Sequence, residues 1–311
     1  YKMYSWYLSG ILGIPPQDID MSSIEAARKN YHHKTSCNVA IFAGHGPIRL
    51  EAAGMNDVPL TGDKLTAAKN LLRESLEQGA VGFSTGLSYY PNSWSDTEEL
   101  CALMEVAREF DRPMSIHLRN HNKDRAFGDG GVAEAIEVAR RTGTKLHFEH
   151  FRTDVTSAGQ VDKIMEPIDQ AKSEGVDITL ETYPYPVGSS FPQAFFPGYF
   201  HEGGPEEMMR TLNDEDKRAE LIRRMSEISY TAPEGNVWTH INTDKNKHFE
   251  GWLFDDVATE WGVSVEEMMT RMMAEESLTC GMRVAPPGNV KIWRQVEEDI
   301  MQLMARPDYM V

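Results

Sequence analysis

Positive charge, cysteine and long apolar runs are all scarce in this chain of 311 residues. Lys and Arg number 31 against 48 Asp and Glu, a formal net charge of −17. That balance argues against nucleic acid and anionic membrane as partners, since both demand a basic footprint. No apolar run approaches the roughly 20 residues that cross a bilayer. The three cysteines, Cys37, Cys101 and Cys280, are scattered and odd in number, with no CxxC pair. A disulfide framework and a thiolate metal cluster are excluded on that count, and a reducing, cytoplasmic setting is expected. No glycine fingerprint for a dinucleotide follows the first strand-like run, which argues against a Rossmann reading. Charged residues at 25% and apolar residues at 41%, without a long block of one charge, describe a folded chain with a sizeable core. The chain opens on Tyr1 and breaks off at Val311 in what reads as the start of a strand, so a piece of a longer protein is expected.

What is present is a rhythm. Short apolar, β-branched runs at Asn38–Ala43, Gly79–Ser84, Pro113–His117, Lys145–His150 and Val176–Glu181 alternate with segments of helical periodicity. Ser23 is the expected cap of the first clear helix, and Ser95, with Glu98 three residues on, reads as a capping box. The strand ends fall about 31 to 40 residues apart, the length of one βα unit. Repetition of that unit predicts a parallel α/β sheet. Polar residues collected at several strand ends favour a (β/α)₈ barrel over an open doubly wound sheet. After Glu181 the rhythm breaks into a Pro-, Gly- and aromatic-rich stretch, and residues 185–242 read as a lid-like insertion, with Asn236–Asn242 returning to the body as a strand. The Met-rich run Met268–Met273 reads as a core stripe.

His117 and His150 end consecutive strands, where two imidazoles can converge on a metal. His147, three residues before His150, falls on the opposite face by strand parity, and Glu149 with it. His45, between two glycines, is a further candidate ligand or a loop-shaping residue; His121 reads as solvated. Arg119 and Arg152 each follow a candidate ligand by two residues and suit a substrate carboxylate. Tyr89, Tyr183, Tyr185, Ser189 and Ser190 lie on loops at the same end.

Five segments in order, Gly44-His-Gly-Pro-Ile-Arg49, Gly79-Ala-Val-Gly-Phe-Ser-Thr-Gly-Leu-Ser-Tyr89, Ile116-His-Leu-Arg119, Glu149-His-Phe-Arg152 and Tyr183-Pro-Tyr185, together resemble the N-acyl-D-amino-acid deacylase (D-aminoacylase) family of the amidohydrolase superfamily. The resemblance implies a TIM-like barrel with a metal centre of one or two ions, usually zinc, and hydrolysis of N-acyl-D-amino acids to a carboxylate and a D-amino acid. It implies His117 and His150 as metal ligands, and Tyr89, Arg152, Tyr183 and Ser189 as substrate-binding residues. Arg152 stands for the family's Lys and Glu149 for its usual Ser. The family's His-x-His strand and its ligating Cys do not precede Asn38, and its catalytic Asp is expected just past Val311. Residues 1–311 are therefore expected to form a partial barrel, about units 3 to 8, without the flanking β-sandwich and inactive alone. Two rivals remain. A hydantoinase or dihydroorotase type would want a Lys where Gly79–Ser84 ends. A degenerate barrel would serve as a binding module. An incomplete barrel also predicts exposed sheet edges and self-association.

Overall fold

The structure, a computed structural model, describes residues 6–13, 16, 18–227 and 234–311. In chain order its strands are β1 (Ala43–Gly44), β2 (Phe83–Gly86), β3 (Met114–His117), β4 (Leu146–Phe148), β5 (Ile178–Glu181), β6 (Ser189–Ser190), β7 (Val237–His240), β8 (Gly281–Arg283) and β9 (Tyr309–Met310). The chain divides into two compact units.

One unit comprises Asp18–Pro184 and Arg294–Val311. Its six strands are all parallel, in the order β1-β2-β3-β4-β5-β9. Each βα unit lays its strand beside the last without reversing direction across the sheet, so the order has no switch point of the doubly wound kind. Period-2 alternation divides the sheet into two chemically different faces. Phe83, Met114, Ile116, Leu146, Phe148, Ile178 and Leu180 form the apolar face, and all are buried. They pack with helix residues such as Leu72, Leu100, Leu103, Met104, Val138 and Ile168 in one continuous core. On helix Gly62–Glu77 the buried residues are Ala68, Leu72 and Leu76, every fourth position. Each buried leucine there contributes about 1.5–3 kcal/mol by leaving water.

The opposite face is polar. Ser84, Ser115, His147 and Thr179 are register partners across β2, β3, β4 and β5, a row of hydrogen-bonding side chains running across the sheet. The next row toward the strand C-termini carries Gly86 opposite His117.

Ser23 caps helix Ile24–Tyr31 as expected, its Oγ accepting from Ala26 N at 3.1 Å. The cap of helix Thr97–Glu109 is Asp96 rather than Ser95: Asp96 Oδ1 accepts from Glu99 N at 2.8 Å. The Ser95 hydroxyl is drawn the other way and donates to Asn92 O at 2.7 Å, closing the preceding turn.

The other unit gathers the described residues of Tyr1–Gln17 with Tyr185–Trp293. It begins where the insertion was expected but continues some fifty residues past Asn242. The reason is β7: it joins no parallel sheet but pairs antiparallel with β8, which also pairs with β6. Trp238 on β7 is fully buried and stacks on Phe254 at 4.2 Å between ring centroids. Met268, Met269, Met272 and Met273 are buried, the core stripe that their spacing predicts. Gly10 passes so close to β8 that a Cβ there would lie 1.9 Å from Cys280 O, which only glycine permits. Among the described residues no helix is long and apolar enough to cross a membrane. Cys101 and Cys280 are buried and Cys37 is exposed; burial pushes the Cys101 thiol up to about 11, far from a reactive thiolate.

Candidate metal and substrate site

His117 closes β3 on the polar face of the sheet. His150 reaches the same point by a different route. Strand β4 ends at Phe148; Glu149 N donates to Ile116 O at 3.1 Å and Phe151 N to Glu181 O at 2.8 Å. The backbone thus crosses from a β3 partner to a β5 partner within three residues. His150 makes the crossing with φ +37°, in the left-handed region that side chains other than glycine seldom adopt. The turn swings its ring onto His117: Nδ1 of His117 and Nε2 of His150 lie 2.7 Å apart, with the rings edge to face. A strained backbone of this kind costs of order 1–3 kcal/mol and is typical of positions that place a functional group.

That turn corrects the parity argument. His147 and Glu149 share one face, but it is the face of His117, not its opposite. His147 is held by Thr179 Oγ1 at 2.8 Å and lies 3.9 Å from Glu181. Glu149 accepts hydrogen bonds from Ser115 Oγ at 2.6 Å and Ser84 Oγ at 3.3 Å. Strand alternation holds only to Phe148, after which φ at His150 decides direction.

Around the pair stand three of the expected side chains. The Tyr89 ring lies 4.8 Å from His117 and covers Gly86. Burial, with the charge of Glu149, pushes its phenol up to about 12, so it remains a hydrogen-bond donor at neutral pH. Tyr183 lies 6.3 Å from His150. The Arg152 guanidinium sits 5.1 Å above the Tyr183 ring and donates to its hydroxyl at 3.4 Å. Its neighbours are anchored: Phe151 O accepts from Tyr309 Oη at 3.2 Å, and Thr153 Oγ1 donates to buried Asp299 at 2.7 Å. Arg152 is therefore presented from a fixed stretch of backbone. A Cβ at Gly86 would fall 2.6 Å from the Tyr89 ring. Gly86→Ala is accordingly expected to push Tyr89 off His117 and to cost about 1–3 kcal/mol. A thermal melt with a crystal structure of the variant checks both.

Two candidates go elsewhere. Arg119 is not available to a carboxylate from outside: Nε and Nη2 donate to Glu134, Nη1 to Ser93 O and Nη2 to Ser95 O. Its side chain and that of Glu134 are wholly buried. The two-residue spacing from His117 carried no facial information, because the strand ends at His117. His45 lies on the helix-covered side, its Nε2 2.8 Å from Glu99 and its Nδ1 2.8 Å from Thr85 Oγ1. Glu99 is in turn paired with Arg49. Ser189 lies in β6 of the other unit, where its hydroxyl donates to Met282 O at 3.4 Å. His121 is buried rather than solvated, and burial pulls it down to about 4.

Desolvation outweighs the pull of Glu99 and lowers the pKa of His45. The ring is neutral, donating from Nε2 to Glu99 and accepting from Thr85. In the unfolded chain His45 takes up a proton near pH 6.5; in the folded chain it does not. Its contribution to stability is therefore complete above that pH and declines as pH falls below it. Melting temperatures at pH 7.5 and 5.5 should show the loss, and His45→Asn should reduce it.

Zinc takes four ligands, usually three of them from protein in a catalytic site. Among the described residues no group of three His, Cys, Asp or Glu is arranged to hold a metal. His117 and His150 supply two nitrogen donors, and desolvation, reinforced by His150 and His121, pulls His117 down to about 3. Their separation is that of a hydrogen bond, somewhat under the about 3.3 Å of two nitrogens on one tetrahedral zinc. The donor chemistry fits part of a zinc centre, and only part.

No protein-family model matches the chain. By sequence it is 34% identical over 181 residues, 58% of this chain, to N-acyl-D-glutamate deacylase of Alcaligenes xylosoxydans xylosoxydans. It is 32% identical over 162 residues to D-aminoacylase of the same organism, 49% of this chain. The chain spans about a third of the length of these relatives, 36% and 31% respectively. By fold it matches the zinc- and phosphonate-inhibitor complex of N-acyl-D-glutamate deacylase from Bordetella bronchiseptica, with a TM-score of 0.70 at 24% identity over 98% of this chain and 53% of that one. It matches a D-aminoacylase, described as defining a subset of amidohydrolases, with a TM-score of 0.65 at 17% identity, over 95% and 54% of the two chains. In sequence and in fold, then, the chain is similar to the D-aminoacylase-type deacylases of the amidohydrolase superfamily, the resemblance that its five motifs carry.

Proposed function

We propose that the protein carrying this chain is a metal-dependent hydrolase of N-acyl-D-amino acids, releasing a carboxylate and a D-amino acid, and that its parallel sheet is part of a TIM-like barrel. The observation that carries the reading is the contact between His117 and His150 at the C-terminal end of adjacent parallel strands, with Tyr89, Tyr183 and Arg152 beside it. The unreversed strand order supports the barrel.

His117 and His150 would hold the metal, zinc by analogy with the Bordetella bronchiseptica deacylase. When bound, such an ion polarises the acyl carbonyl and makes water more acidic. Arg152 recognises the substrate carboxylate by a two-pronged, charge-assisted contact, and Tyr183 keeps the guanidinium plane in place beneath it. Tyr89, protonated at neutral pH, donates a hydrogen bond to substrate oxygen. Ser189 is a further hydroxyl for the substrate. The proton transfer is assigned to no residue of this chain.

The purified full-length protein, supplied with zinc, is tested on N-acetyl derivatives of D- and L-amino acids by assay of the freed amine. Release from the D series alone is expected. No release from either, or release from the L series alone, contradicts the reading.

A further inference from the structure

Glu149 carries a carboxylate of the polar face on the residue before His150, and it differs from the buried glutamates of this unit in its partners. Glu99 is neutralised by Arg49 and Glu134 by Arg119. Among the described residues Glu149 has no Lys or Arg partner. It is half-buried, and its carboxylate is held by two neutral donors, the hydroxyls of Ser115 and Ser84. Those hydroxyls orient the carboxylate without cancelling its charge. The backbone fixes it as firmly: Glu149 N donates to Ile116 O, one residue before His117, and His150 is the next residue along the chain. Its charge is one of the causes that raise the Tyr89 phenol, whose ring lies 4.8 Å from His117.

An uncompensated anion in such a place lacks a cation. We propose that Glu149 is an electrostatic positioning residue for the metal centre, raising the affinity of the His117–His150 pair for a divalent cation without ligating it. The inference rests on the reading of that pair as metal-holding. Two imidazoles bring no charge to a divalent ion; the Glu149 carboxylate halves the charge that would otherwise go unbalanced. Its three anchors, Ser84 on β2 and Ser115 and Ile116 O on β3, also tie the turn that carries His150 to the strand that carries His117.

The test is a zinc titration of the full-length protein against a chromophoric chelator, with circular dichroism confirming the fold of each variant. Glu149→Gln keeps the shape and removes the charge; Glu149→Asp keeps the charge. Zinc affinity is expected to fall by about tenfold in Glu149→Gln, the scale of supporting-shell effects at metal sites, and to stay within about threefold of the parent in Glu149→Asp. Glu149→Ser substitutes for Glu149→Gln if the latter does not fold. Unchanged affinity in the uncharged variant, or equal losses in both, overturns the proposal. His117→Ala separates the two claims. If it abolishes zinc binding while Glu149→Gln binds as the parent does, the metal reading stands and the role of Glu149 falls. If zinc binding is absent from the parent or survives in His117→Ala, both fall.

Discussion

Replacing either imidazole, His117→Ala or His150→Ala, is expected to abolish zinc binding and to reduce release of D-amino acids by on the order of 10³-fold. The two rings meet at a nitrogen–nitrogen distance of 2.7 Å, so each variant removes one of the two imidazoles brought together there among the described residues. Lewis-acid polarisation supplies several kcal/mol, and each 1.36 kcal/mol is a factor of ten in rate. The folded state should tolerate the change, because His117 is only half-buried and the His150 backbone is relieved of strain by no substitution short of glycine. Metal content by elemental analysis, activity and melting temperature should therefore separate: the first two collapse while the third moves by a few degrees. A parallel collapse of stability would assign the pair to the scaffold.

Stability is expected to behave oppositely at Arg119 and Glu134. Glu134→Ala should cost about 3–5 kcal/mol, since it leaves a guanidinium in a site with no exposure at all. Glu134 also accepts from Thr97 Oγ1 at 3.0 Å, and Arg119 ties down the carbonyls of Ser93 and Ser95. The pair thus fixes the loop between Tyr89 and helix Thr97–Glu109. A fall in melting temperature of about 10 °C should result. Arg141→Ala, which breaks the exposed pair with Glu98, should cost less than about 1 kcal/mol. Replacing both partners, Arg119→Met with Glu134→Leu, should recover part of the loss, because no charge is left buried. It should not recover all, because two loop carbonyls lose their donor.

These cases show which parts of the molecule could be read from its residues. The parallel sheet was legible because period-2 apolar runs and period-3.6 helices alternate at a steady interval. The place of His117 at the end of β3 was legible because Pro113 marks the start of its strand and a polar residue closes an apolar run. His150 was expected at a strand end but lies two residues past β4, and strand parity misassigned its neighbours. A single left-handed φ carries no local signature when the residue is a histidine rather than a glycine. Glu149 was set aside by the same error, although the register of Ser115 opposite His147, with Glu149 two residues on in the turn after β4, contained the signal. Arg119 and His45 could not be placed, since burial with a carboxylate from a helix depends on contacts 15 and 54 residues away. The extent of the second unit was hidden for a similar reason. Whether Val237–His240 joins a parallel or an antiparallel neighbour is decided by β8, more than forty residues later.

The central claim is that His117 and His150 hold a metal together, and X-ray diffraction of zinc-soaked crystals at the zinc absorption edge tests it most directly. The account predicts an anomalous peak within about 2.1 Å of a ring nitrogen of each histidine, with the hydrogen bond between them replaced by coordination. Anomalous density elsewhere, with the two rings still hydrogen-bonded at 2.7 Å, would contradict it.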